Sequence, residues 1–228
     1  MSHLINIFLE PAKVFADLRE KPAFLAPMLV VILVGMASIL AYFLQVDPVW
    51  FEQHQIAQVR ATNPEMSEAE LQQMQQFMPG ARVSMVIMLA MSVLMPLLVW
   101  LLLAVYYLMA GKVAGNDVGF RRGFALAVWS SMPITLASLM ALVGAFVSSP
   151  QTGLEQIQYL NADQILGVPV DSAWLTVSRS FSLVYLWVWL LAAMGWKVWF
   201  RSSWTQALFV VLLPWVLYYG VLSLIAAL

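Results

Sequence analysis

The residues that could do chemistry in this chain are few, and most of them lie outside its apolar stretches. The two histidines, His3 and His54, fall in polar segments, and no motif of a serine hydrolase, a zinc protease or a nucleotide-binding loop occurs. No acidic or basic residue falls deep inside an apolar stretch, where it would mark a proton pathway or an acid–base pair. The absence of cysteine excludes a cysteine nucleophile, a thiolate metal site and a disulfide framework. We therefore expect a protein that is not an enzyme, with no catalytic residue, no cofactor and no metal site.

One group of hydroxyl side chains could still serve transport rather than catalysis. Prolines interrupt three apolar stretches, at Pro96, Pro133 and Pro214. A proline removes one helix hydrogen bond, and carbonyl groups freed at a break can bind ions in transporters. Ser130, Ser131 and Thr135 surround Pro133, so they could either face a small polar cavity or satisfy the freed carbonyls locally. Prolines are also common in membrane helices without such a role, so both interpretations stay open.

Five long apolar stretches must position these residues. Each is about long enough to cross a bilayer, since a helix needs roughly 20 apolar residues to span the hydrocarbon core. They are predicted at Phe24–Val46, Val83–Ala110, Gly123–Val147, Phe181–Phe200 and Trp204–Leu228. Only 10% of the residues are charged and 62% are hydrophobic, whereas a soluble domain has about 25% charged residues. The composition predicts an all-α, polytopic membrane protein with five transmembrane helices, and no basic patch indicates nucleic acid.

The distribution of charge predicts how these spans are oriented. When the polar segments are assigned alternately to the two sides, eight of the eleven basic residues fall on one side. These eight are Lys13, Arg19, Lys21, Lys112, Arg121, Arg122, Lys197 and Arg201. The opposite side carries three basic and eight acidic residues. Short basic loops stay in the cytoplasm, so we expect a cytoplasmic N-terminus and an extracytoplasmic C-terminus.

Three polar segments outside the predicted spans have recognisable patterns. The first predicts an amphipathic helix at Pro11–Glu20, which would lie along the cytoplasmic membrane interface. The second, external loop 47–82, predicts a helical hairpin with helices at Val49–Ala61 and Glu68–Phe77, the latter begun by a Ser-x-x-Glu capping box. The third, external loop 148–178, is rich in glycine and proline and predicts irregular structure with one short helix.

The third span also carries a row of small residues at four-residue spacing. Ala137, Ala141, Ala145 and Ser149 would lie on one face of a helix. Small side chains let neighbouring backbones approach closely in lipid, so we expect this span at the centre of the helix bundle.

Two segments carry a resemblance to a known family. Residues 110–133, AGKVAGNDVGFRRGFALAVWSSMP, combine a glycine-rich loop, a Phe-Arg-Arg sequence and a helix that reaches a proline. The start of the chain, Phe8–Phe15 followed by Lys21 and Pro22, is similar to the same family's N-terminal pattern. The chain as a whole resembles bacterial members of the Yip1-domain family. This resemblance implies a single Yip1-like membrane domain over residues 1–228, located in the bacterial inner membrane.

The resemblance implies little about activity. Eukaryotic members act in vesicle trafficking, bind small Rab-type GTPases and shape membranes. Their long cytoplasmic N-terminal regions have no counterpart in the about 22 residues before the first predicted span, so we expect no GTPase binding. No catalytic residue carries over. The positions that match the family pattern are Gly111, Gly115, Phe120, Arg121, Arg122 and Pro133.

These observations favour a non-enzymatic membrane protein that organises the membrane or acts as a scaffold for other proteins. Lys112, Arg121 and Arg122 are the candidate contacts to anionic headgroups or to an acidic partner. The expected partners are the lipid bilayer and other membrane proteins or further copies of this chain, without nucleic acid. The alternative function is a small transporter or channel, with a pathway near Ser130, Ser131, Pro133 and Pro214.

Overall fold

The computed structural model describes residues 2–116 and 118–228; Asp117, in the segment that carries the family resemblance, lies outside the described residues. Within these ranges the regular structure is helical, apart from one isolated antiparallel bridge between Asn161 and Ser182. The α-helices are α1 Ser2–Leu9, α2 Pro11–Leu18, α3 Leu25–Gln45, α4 Pro48–Thr62, α5 Glu68–Gln75, α6 Ala81–Val113, α7 Phe120–Ser130, α8 Ile134–Val147, α9 Ala162–Leu166, α10 Leu175–Ser180, α11 Val184–Phe200 and α12 Trp204–Ala227. A 3₁₀ helix covers Leu154–Ile157.

Among the described residues, four stretches of helix are long and apolar enough to cross a membrane. They are Leu25–Gln45 (α3), Ala81–Val113 (α6), Phe120–Val147 (α7 with α8) and Trp204–Ala227 (α12). The shorter apolar helix α11 has 17 residues. It coincides with the fourth predicted span, whose uninterrupted apolar sequence runs only from Phe181 to Trp196. The chain is therefore an all-helical, polytopic membrane protein, as its composition predicted.

The three prolines within the apolar stretches have different outcomes. Helices α6 and α12 continue through Pro96 and Pro214, as membrane helices can where other groups satisfy the freed carbonyl. Helix α7 ends at Ser130 and α8 begins at Ile134, so Pro133 lies in a turn between them. We refer to residues 131–133 as the helix break. Backbone hydrogen bonds between residues three apart run through it, which replaces the α-helical pattern that the proline ring disrupts.

The chain divides into two compact units. The first unit comprises Met1–Val34, Val93–Leu136 and Val184–Val221, and the second comprises Gly35–Ser92, Ala137–Leu183 and Leu222–Leu228. In the first unit, α11 packs against α2 and α7. Phe15 of α2 and Trp196 of α11 are fully buried, and the Trp199 indole N–H donates to the Phe15 carbonyl. Large aromatic side chains therefore hold α2 and α11 together.

The N-terminal segment is part of this first unit. Helix α2 begins at Pro11, as predicted, and ends at Leu18 rather than Glu20. Its apolar residues Val14, Phe15 and Leu18 are buried. Helix α1 precedes α2, and the sequence pattern did not predict it. Two separate helices form because Pro11 has no N–H to continue the hydrogen bonding of α1, but it fits the first turn of a new helix.

In the second unit, α4 and α5 form the predicted pair of helices, with ends displaced by one or two residues. Helix α4 starts after Asp47, whose carboxylate accepts hydrogen bonds from two backbone amides of its first turn. The capping box of α5 is confirmed: the Ser67 hydroxyl accepts from the Glu70 amide, and the Glu70 carboxylate accepts from the Ser67 amide. Hydrogen bonds from the Ser67 hydroxyl and amide hold the pKa of Glu70 below its ordinary value.

The core of the second unit lies where α4 meets α3, α8, the start of α6 and the 3₁₀ helix. Its buried apolar residues are Ala41, Tyr42, Val46, Phe51, Ala81, Ala145 and Ile157. The loop was predicted to be irregular with one short helix around Leu154–Leu160. The 3₁₀ helix lies at that place, and two further short helices, α9 and α10, follow it. Gly167, in the left-handed conformation with φ of 61°, ends α9, which is the usual role of glycine at a helix C-terminus.

Candidate functional site

The hydroxyl groups around the helix break are buried and satisfied within their own chain segment. Each donates a hydrogen bond to the backbone carbonyl three residues earlier, at 3.0 Å for Ser130, 2.7 Å for Ser131 and 2.7 Å for Thr135. Pro133 is buried beside them. Of the two interpretations left open by the sequence, these contacts match the local satisfaction of carbonyl groups near the break.

Aromatic side chains surround the break in the first unit. The Trp100 indole N–H donates to the Ser131 hydroxyl at 3.2 Å, and the Trp100 ring meets that of Phe124 edge-on at 6.4 Å between centroids. The Trp129 indole N–H donates to the Ala23 carbonyl at 2.6 Å. Residues 123–133 are all buried. The hydroxyls at the break therefore lie among packed, largely apolar side chains.

Two of the three predicted cationic contact residues are exposed. Lys112 lies in the last turn of α6, and Arg121 lies in the first turn of α7. Arg122, also in the first turn of α7, is half-buried. Gly115 turns the connecting loop with φ of 70°, a conformation that costs glycine little.

Close packing of α6 and α7 positions these cations. A Cβ added at Gly123 would lie 2.9 Å from the Ala104 carbonyl oxygen, too close for two non-bonded atoms, so glycine lets the two helices approach. Gly123 follows Arg121 and Arg122 directly, and Ala104 lies two helical turns before Lys112. The tight α6–α7 contact therefore holds the helix ends that carry the basic side chains.

The remaining predicted residues are distributed over both units. Pro214 is half-buried within α12 of the first unit. The small-residue row belongs to the second unit: Ala145 is buried in its core, Ala141 packs against that core, and Ala137 is half-buried. Ala141 and Ala145 thus pack closely, whereas Ser149, the last residue of the row, is exposed. Gly144 beside them leaves no room for a Cβ next to Tyr159.

The second unit also contains a pocket that the sequence did not predict. It has a volume of about 290 Å³. Its lining residues are Tyr42, Phe51, His54, Gln55, Gln58, Val59, Met78, Leu154, Glu155 and Arg179. We call it the polar pocket, because hydrogen-bonding side chains from three distant segments meet there.

Glu155 is the centre of the hydrogen bonds in the polar pocket. Its Oε1 lies 2.8 Å from His54 Nε2 and accepts from Gln58 Nε2 at 3.3 Å. The Trp50 ring stacks on the His54 ring at 4.6 Å between centroids, which fixes the imidazole. These contacts join α4 to the 3₁₀ helix and orient the carboxylate.

Arg179 completes the polar side of the pocket. Its guanidinium donates to Gln58 Oε1 at 3.2 Å and to Asp163 Oδ2 at 3.4 Å. Asp163 is 4% exposed, and its second oxygen, Oδ1, has no hydrogen-bond partner among the described residues. Arg179 therefore offsets a buried negative charge.

Sequence reasoning missed this pocket because its polar contacts join residues 97 to 121 positions apart. In the sequence, Glu155 and Asp163 count only among the eight acidic residues of the predicted external side, and Arg179 counts only among its three basic residues. The available signal was the concentration of opposite charges in a glycine- and proline-rich segment, together with one histidine in the neighbouring polar loop. In the part of the chain that the structure describes, no three His, Asp or Glu side chains are grouped as a metal site would require.

Comparison with protein-family models matches the Yip1 domain over residues 5–225. Comparisons with curated proteins and with solved structures find no match.

Proposed function

This chain belongs to the Yip1 domain family, and from that premise we propose that it is a non-enzymatic organiser of membrane lipid or of other membrane proteins. The Yip1 family is not a known enzyme family. The proposal places the N-terminus and the α6–α7 loop in the cytoplasm of a bacterial cell, with the protein in the inner membrane. Positive charge concentrated in the predicted cytoplasmic segments supports this orientation.

The observation that carries the proposal is the contrast between a satisfied interior and an exposed basic loop. At the helix break, every hydroxyl donates to a backbone carbonyl three residues earlier, so these carbonyl oxygens are already engaged rather than free to replace the hydration shell of an ion. At the α6–α7 loop, Lys112 and Arg121 are exposed. Such cations are attracted to anionic headgroups by about 1 kcal/mol each.

Fluorescence energy transfer would test the lipid contact directly. The chain has no cysteine, so Val113→Cys, at a position that is 91% exposed, supplies one site for a donor dye beside the loop. In nanodiscs with acceptor-labelled phosphatidylglycerol or phosphatidylcholine, we expect more transfer to the anionic lipid. The double variant Lys112→Gln, Arg121→Gln should remove the preference.

A matched control tests whether the lipid preference depends on this loop or on cytoplasmic positive charge in general. Lys13→Gln, Lys21→Gln removes the same charge from exposed positions on the same predicted side and should leave the preference intact. Equal transfer to both lipids in the unsubstituted protein would contradict the lipid contact. If partner recovery after cross-linking were also the same in both double variants, the loop would have no organising role.

An ion-flux measurement in sealed liposomes separates the organiser from the transporter. We expect no flux above that of empty vesicles. Flux that Pro133→Leu, Ser130→Leu abolishes, with orientation and folding unchanged, would instead support a pathway along the helix break.

A further inference from the structure

The polar pocket of the second unit has a chemistry that the organiser proposal does not use. We propose that it binds a small organic cation, a primary ammonium group attached to a short apolar body. The site is formed by Glu155, by the aromatic rings of Tyr42 and Phe51, and by the apolar side chains beside them.

The formal charges around the pocket favour a cation. With histidine neutral, Glu155 and Asp163 carry two negative charges and Arg179 carries one positive charge, so one negative charge remains. Arg179 is directed to Asp163 and Gln58, and this pairing offsets the Asp163 carboxylate rather than that of Glu155. Glu155 instead bonds to His54 and Gln58. Among the described residues it has no lysine or arginine partner, and it lines the pocket.

The Glu155 carboxylate is held ready for a ligand. Both of its hydrogen bonds from side chains go to Oε1. Among the described residues Oε2 has no hydrogen-bond partner, which leaves that oxygen able to accept from an ammonium group. The side chain is 23% exposed, so the carboxylate is partly desolvated and reachable. A charge-assisted hydrogen bond to a fixed, partly desolvated carboxylate is stronger than one to a solvated carboxylate.

The walls of the pocket suit the rest of such a ligand. Tyr42 and Phe51 present aromatic rings, which attract cations over their faces. Val59, Met78 and Leu154 supply apolar surface. The volume of about 290 Å³ is close to the lower end of the roughly 300–1,000 Å³ of small-molecule sites. This size selects a short alkylammonium rather than a large ligand.

Two sources can supply this chemistry: a free alkylammonium solute or the ammonium group of an ethanolamine lipid headgroup. Both place a primary ammonium on a short carbon chain, and the experiment distinguishes them.

The test is a ligand-observed NMR titration of n-propylammonium chloride against the full chain in maltoside micelles, which contain no ammonium group. We expect saturable binding, and none for n-propanol, which has the same carbon chain without the charge. Glu155→Gln should weaken binding roughly ten- to a hundredfold, because a hydrogen bond to a charged group is lost. Glu65→Gln, the same charge change at an exposed position outside the pocket, should leave affinity unchanged.

A second variant tests binding in the pocket without changing Glu155. Val59→Phe fills the pocket without changing charge and should also abolish binding, with thermal unfolding showing that both variants fold. Equal binding of propanol, or unchanged affinity in both pocket variants, would overturn the proposal. Competition by phosphatidylethanolamine, but not by phosphatidylglycerol, would support it with the lipid headgroup as ligand. Propylammonium binding without such competition would support it with a free solute as ligand.

Discussion

The hydroxyls at the helix break and the side chains of the polar pocket use hydrogen bonds in opposite ways. At the break, each hydroxyl bonds to a carbonyl three residues earlier. In the pocket, the side-chain bonds join segments about a hundred residues apart. Local bonds satisfy the backbone and leave few polar groups for a ligand. Long-range bonds create a concave surface with a partly desolvated charge, which is what a binding site requires.

The two regions also differ in what the removal of a side-chain group does to stability. Removing a hydroxyl at the break leaves the α7–α8 turn with its other backbone bonds. Removing a charged partner in the pocket leaves a buried carboxylate without compensation. Substitutions in the polar pocket should therefore lower the free energy of unfolding more than substitutions at the helix break. They should also affect more distant parts of the chain.

The largest effect is expected from Arg179→Met. Asp163 would keep a buried carboxylate whose Oδ1 already lacks a partner among the described residues, and Gln58 would lose its donor. Because Arg179 is itself partly exposed, we expect a loss of about 2–3 kcal/mol rather than the full cost of breaking a buried pair. Reversible unfolding in mixed detergent micelles measures it. If the double variant Arg179→Met, Asp163→Asn recovers the lost free energy of unfolding, the unpaired Asp163 carboxylate is the cause of the loss. If the loss is undiminished, the carboxylate is not the cause.

Ala145→Leu should have the next largest effect. Ala145 is buried in the core of the second unit, and an isobutyl side chain in place of its methyl group should cost about 1–3 kcal/mol through overpacking. Val143→Leu, at an exposed position of the same helix, is the matched control and should cost little. A thermal midpoint of Ala145→Leu equal to that of the control would show that the small-residue row is not closely packed.

Ser131→Ala should have a smaller effect at the helix break. It removes the bond to the backbone carbonyl and the acceptor of the Trp100 indole N–H, so we expect a loss of about 1–2 kcal/mol. Ser130→Ala removes only the local bond and should cost less. The same unfolding measurement compares the two. Should Ser130→Ala prove the more damaging, the Trp100 contact would not be the stabilising one.

The smallest effect concerns the capping box of α5. The pKa of Glu70 is lowered in the folded protein by its hydrogen bonds from Ser67. This stabilisation is therefore present above the ordinary carboxyl pKa of about 4.3 and is lost as pH falls through the lower folded value. Hydrogen exchange of the first-turn amides should accelerate, relative to the intrinsic rate, as pH falls below this point. Glu70→Gln should remove that pH dependence, whereas Glu65→Gln should retain it.

Several elements of the fold were predictable because their causes are local. The start of α2 at Pro11 and the capping box at Ser67 depend on residues a few positions apart. The apolar spans depend on composition alone. Helix α1 was missed because its pattern gives no comparable start signal, and α2 stops before Glu20 although the pattern continued to it.

The candidate site was predictable only in part, for the same reason. Lys112 and Arg121 were identified, and both are exposed at helix ends. The sequence shows the same pattern, a proline within an apolar stretch, at Pro96, Pro133 and Pro214. Of these three, only Pro133 lies between two helices. Its neighbouring hydroxyls supply bonds for the shortened turn. The functional roles of these residues stay predictions until the lipid and flux measurements are made.

The sequence by itself determined that this is an all-helical membrane protein, because apolar length and the scarcity of charge act through solvent preference and need no knowledge of contacts. It also determined the capping box and the basic character of the α6–α7 loop. The tertiary structure alone decided that His54, Gln58, Glu155 and Arg179 share one pocket. Their separation along the chain is bridged by the packing of helices, and packing depends on all the side chains of the unit together.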